Sequence, residues 1–119
     1  QEVFDIKHAM TPIVDLIRVY SLKHQVMETN TGQRLKELYK KDLFRKEEYY
    51  ELLQAYYFLM NLRLKNQAKT IIRNQGAPTN YIEPKGLTNI ERVTLREIFK
   101  VIERFQVKMK LEFTGGGLF

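Results

Sequence analysis

Arg18 and His24, separated by five residues in the stretch RVYSLKH, are the first pair in this 119-residue sequence equipped for chemistry. A guanidinium stabilises phosphate charge and an imidazole exchanges a proton near neutral pH. A second group lies further on. Arg63 and Gln67 continue the apolar stripe of Leu52, Tyr56 and Met60, while Asp15 and Arg18 stand between apolar positions of an earlier segment. A charge placed so close to a core needs a partner, because burying it alone is costly. Two kinds of partner are open: an internal network, for example Asp15 with Arg63, or a bound phosphate or carboxylate met by Arg18, Arg63 or Lys65. Asn80, Tyr81 and Glu83 form a third group, in a connecting loop of the kind that commonly carries recognition. Tyr81 and Ile82 would equally serve to close the end of the core.

The usual catalytic signatures do not occur. There is no glycine-rich phosphate loop, nucleophile elbow or His-Glu-x-x-His, and no Asp pair after a Gly-Ser turn that would hold magnesium. His8 and His24 lie 16 residues apart with no carboxylate set around them, which is not the pattern of a metal site. The absence of cysteine excludes thiolate ligands, disulfides and a thiol nucleophile, and fits a reducing compartment, so a cytoplasmic location is expected. No apolar run approaches the ~18–20 residues that span a bilayer, so no membrane association is expected. The net charge of +6 favours an anionic partner, but Lys and Arg are spread along the chain rather than gathered on one arm, so a dedicated nucleic-acid surface is not expected.

These side chains must be positioned by helices, because the apolar residues recur at three- and four-residue spacing and no strand alternation stands out. Thr11 as cap with Pro12 in the first turn predicts the start of helix one, which carries Ile13, Leu16, Ile17, Tyr20 and His24 and has further apolar positions at Val14, Val19, Leu22 and Val26. That wide apolar surface predicts a central helix with more than one neighbour. Asn30 and its flanking threonines introduce a second, short helix with Leu35 and Leu38. A third, from Lys46 to about Asn74, contains neither Gly nor Pro and ends at Gly76 and Pro78. Thr88 and Glu91 have the spacing of a capping box ahead of the fourth helix, with Leu95, Ile98, Phe99, Ile102, Phe105 and Met109 on one face. The expectation is an all-α, four-helix bundle over residues 1–113, followed by a flexible glycine-rich tail at 114–119.

Two resemblances bear on function. The Arg18-spacer-His24 arrangement resembles the motif of a family of small helical ribonucleases, although here Val19 rather than a polar residue follows the arginine and the motif falls in the first helix. The second covers roughly residues 7–113: PIVDLIRVYSLKHQV, TNTGQRLKEL, AYYFLMNLRLKNQ, NYIEPKGL and ERVTLREIFKVIERFQ together resemble the nucleotidyltransferase substrate-binding domain family. That resemblance implies a helical module C-terminal to a nucleotidyltransferase-like domain, in bacterial signal-transduction proteins with cystathionine-beta-synthase-type or cyclic-nucleotide-binding sensory domains. It implies that the catalytic carboxylates, the nucleotide and its Mg2+ belong to an upstream domain. The present chain would then be inert by itself, without a cofactor of its own, and would have a substrate-binding or regulatory role. The upstream domain is the implied partner, with a nucleotide or a protein acceptor as ligand and oligomerisation possible. The polar positions carried over as pocket or interface candidates are Asp15, Arg18, His24, Asn30, Arg34, Arg63, Gln67, Asn80, Tyr81 and Arg92, with Arg18, Arg63 and Tyr81 expected at one contact. The alternative is a protein-interaction bundle that binds no substrate.

Overall fold

In a computed structural model, residues 4–73 and 79–114 are described. They form four α-helices, α1 (Ile6–Lys23), α2 (Thr31–Lys40), α3 (Lys46–Ile72) and α4 (Asn89–Thr114), with two short strands, β1 (Phe4–Asp5) and β2 (Tyr81–Ile82), and a 3-10 turn at Pro84–Gly86. The all-α bundle expected from the periodicity is the observed architecture. Helix α1 packs against the other three helices, which makes it central. Ile6, Ile13, Ile17, Leu35, Leu38, Leu52 and Leu59 are fully buried between them. Lys65 of α3 reaches Glu91 at the start of α4, and Glu48 reaches Lys108 near its end, so α3 and α4 run antiparallel.

Helix α1 begins earlier than Thr11 and Pro12 suggested. Asp5 is its cap, accepting the Lys7 amide at 2.9 Å, and Pro12 lies inside the helix. The cause is tertiary. Phe4 pairs with Ile82 and Asp5 with Tyr81 in an antiparallel ladder, and the Ile6 amide donates to the Asn80 carbonyl at 2.8 Å. Burial of Ile6 and Met10 then favours two extra turns despite the hydrogen bond that Pro12 cannot make. These two-residue strands are too short to leave an alternation in the sequence.

The other boundaries follow local chemistry. Asn30 caps α2 by accepting the Gln33 amide at 3.1 Å. Thr88 and Glu91 form the expected capping box, with hydrogen bonds of 2.8 and 3.1 Å. Helices α1 and α2 both end on a left-handed residue, Gln25 (φ 59°) and Asp42 (φ 63°), neither of them glycine. The amides of Val26 and Leu43 close these ends on the carbonyls of Ser21 and Leu38. Helix α3 stops at Ile72 with Arg73 as cap, so the expected breakers Gly76 and Pro78 lie outside the described residues. Helix α4 includes Thr114, and the rest of the glycine-rich tail also lies outside them.

Candidate functional site

The last three turns of α3 and the segment Thr79–Ile82 enclose a cleft of about 350 Å3. Its construction starts at Asn80, whose side-chain oxygen accepts from Arg63 Nε at 2.9 Å and from Gln67 Nε2 at 3.3 Å. Asn66, one turn along from Arg63, donates to the carbonyls of Thr79 and Tyr81, both at 3.0 Å. Three α3 side chains therefore hold the loop and present β2 to β1. Arg63, Gln67, Asn80 and Tyr81, singled out from the sequence, do come together, and their shared task is to fix the loop on the helix.

Lys65, Lys69 and Arg73 line one wall of the cleft at four-residue spacing, with Thr70 and Asn66 beside them and the half-exposed Tyr81 opposite. Lys65 is engaged by Glu91 at 3.0 Å. Lys69 and Arg73 make no ion pair among the described residues, although Glu83 also lines the cleft. Glu91 is held below the ordinary carboxylate range by the Thr88 backbone amide and then by Lys65. Sequence reading missed Asn66, Lys69, Thr70 and Arg73, although a row of cations at i, i+4 and i+8 was available as a signal.

The other candidates lie elsewhere. Arg18 pairs with Asp15 at 2.9 Å on the surface of α1, so the suggested Asp15–Arg63 bridge does not form. The first turn of α1 touches Asn80, and Arg18 is 12 residues further on, about 18 Å along the axis. It does not line the cleft beside Tyr81. His24 caps α1 and stacks on Tyr20 with ring centroids 5.8 Å apart. Six residues at about 100° each separate it from Arg18 by roughly 120° around the helix, so the pair does not converge on a phosphate. Arg34 donates to the Glu28 carbonyl at 2.7 Å, and Arg92 to the Leu87 and Pro84 carbonyls at 3.0 and 3.3 Å. Both brace turns.

A second concavity, an apolar groove of about 600 Å3 between α1 and α4, is lined by Pro12, Leu16, Val19, Met109 and Phe113, with Asp15 and Lys110 at its edge. Among the described residues no group of three or more His, Asp or Glu side chains is placed to hold a metal, and no helix is long and apolar enough to cross a membrane.

The described residues thus form a helical bundle with a polar, cation-lined cleft at its end. The chain belongs to the family described as "Putative nucleotidyltransferase substrate binding domain", whose model matches residues 1–113. Searches of curated proteins and of solved structures return no match.

Proposed function

We propose that this bundle holds a phosphate-bearing substrate for a nucleotidyltransferase domain of the same protein, in the cleft between the end of α3 and the Thr79–Ile82 loop. The observation that carries this reading is the pair Lys69 and Arg73, two cations beside a built cleft without an ion-pair partner among the described residues. A guanidinium and an ammonium are the usual receptors for phosphate oxygens, and the exposed ring of Tyr81 offers a face for a nucleobase. Arg63, Gln67 and Asn66 keep that ring in place through the loop. Transfer chemistry, with its nucleotide and Mg2+, belongs to the neighbouring catalytic domain. A cytoplasmic bacterial signalling protein with a sensory domain is the setting we propose, with this bundle linking the sensed state to substrate access.

Isothermal titration calorimetry with ATP, UTP, GTP, CTP and pyrophosphate tests the reading. Saturable binding of at least one ligand, lost in the Lys69→Ala/Arg73→Ala double variant, is expected. Absence of binding up to millimolar ligand would refute it and favour the second reading, a protein-interaction module without substrate, for which the apolar α1–α4 groove is the supporting observation.

A further inference from the structure

The face of α3 turned away from the core carries a large apolar side chain every seven residues: Tyr50, Tyr57, Leu64 and Ile71, each between 46% and 60% exposed. Gln54, Asn61 and Ala68 fall between them and are exposed as well. Steps of four and then three residues along one stripe form the heptad seam by which two helices wrap around each other. The buried residues Leu52, Ala55, Tyr56, Leu59 and Leu62 lie away from this stripe, which touches the rest of the bundle at Tyr57, whose hydroxyl lies against Gly32 of α2. An aligned helix covers the whole row, which spans 21 residues or about 32 Å.

We infer that this seam pairs antiparallel with the same seam of a second copy of the chain. Charge selects the direction. The acids of α3, Glu47, Glu48 and Glu51, all lie in its first six residues beside Lys46, Glu48 bound to Lys108 and Glu51 to Arg104, whereas beyond them the helix and its cap carry only cations, Arg63, Lys65, Lys69 and Arg73. Parallel pairing would align like charges and like helix dipoles, and antiparallel pairing opposes both. Symmetry sets the register. With the two-fold axis midway between positions 60 and 61, Tyr57 faces the partner's Leu64 and Tyr50 faces the partner's Ile71. The two Asn61 amides then lie across from each other beside the axis, where each supplies the donor and acceptor the other needs. A buried Asn in such a seam fixes register at some cost in affinity. A strip about 32 Å long and about 10 Å wide buries roughly 320 Å2 per copy, below the ~800 Å2 of a standard interface, so the dimer dissociates on dilution.

Sedimentation velocity of the 119-residue chain from micromolar to millimolar concentration is the test. A reversible monomer–dimer equilibrium is expected. Leu64→Glu and Tyr57→Lys each weaken it at least about tenfold, with helicity by circular dichroism unchanged because both positions are half-exposed. An equimolar mixture of the two variants restores the dimer, because the substituted positions face each other only in the antiparallel register. A monomer at every concentration, a dimer insensitive to both substitutions, or variants that mixing fails to rescue would each overturn the inference.

Discussion

At the N-terminal end of α3, Glu48 accepts the Arg45 amide at 2.8 Å and binds Lys108 of α4 at 2.9 Å, while the Lys108 ammonium lies over the rings of Phe44 and Phe105. At the C-terminal end, Arg63, Asn66 and Gln67 hold a loop, and Lys69 and Arg73 line a cleft without an ion-pair partner among the described residues. At the first end Glu48 and Lys108 satisfy each other, with the ammonium shielded by aromatic rings, which ties two helices together. The second end keeps cations directed at a space. This contrast shows that charge on a helix says little about function until its partners are known, and that binding capacity remains where the fold leaves a charge uncompensated beside a cavity.

The closed end has a further feature. The Tyr20 hydroxyl is buried with no hydrogen-bond partner among the described residues, and the Glu112 carboxylate stands near it. Burial, followed by Glu112 and Glu48, pushes the phenol well above its usual range, so it stays neutral. For Glu48, burial acts upward but is outweighed by the Arg45 amide and by Lys108, which leaves the carboxyl below its ordinary value.

The largest expected effect breaks the closed end. Glu48→Ala removes a cap and leaves Lys108 without its partner, and should cost about 2 kcal/mol in urea denaturation. Asn80→Ala removes one acceptor from two donors at the open end. Its cost should be smaller, about 1 kcal/mol, and nucleotide binding should weaken with it because the loop carrying Tyr81 is released. Glu91→Gln keeps the capping box but removes the ion pair with Lys65 and the negative charge at the helix N-terminus, and should cost about 0.5 kcal/mol at neutral pH. Since the folded carboxyl titrates below the unfolded value of about 4.3, that stabilisation is complete above pH ~4.3 and disappears as pH falls through the lower folded value. The difference between wild type and Glu91→Gln should therefore shrink in acid. Gln25→Gly, at a left-handed position, should raise stability by up to about 0.5 kcal/mol, measured by thermal unfolding. Lys69→Ala/Arg73→Ala should leave stability within about 0.5 kcal/mol, and so separates binding from folding.

Much of the bundle was legible because the starts of α2 and α4 rest on local chemistry, Asn30 before α2 and the Thr88–Glu91 box before α4. The start of α1 was not, because Asp5 and Ile6 are held by residues some 75 positions away, Asn80 to Ile82. Of the candidate site, Arg63, Gln67, Asn80 and Tyr81 were found by their place beside an apolar stripe and in a loop. Asp15 and Arg18 pair with each other away from this cleft, and spacing along α1 does not show which end of the bundle a residue occupies. Lys69 and Arg73 were passed over because exposed cations are ordinary until a cleft is seen beside them.

The central claim is that the open end of α3 receives the substrate, and backbone NMR shifts during titration with nucleoside triphosphates test it most directly. Localised, saturable shifts at Arg63, Lys69, Arg73 and Tyr81, with Phe44 and Lys108 unmoved, are the predicted result. Saturable shifts centred on the α1–α4 groove or on the closed end, or none at all, would contradict it.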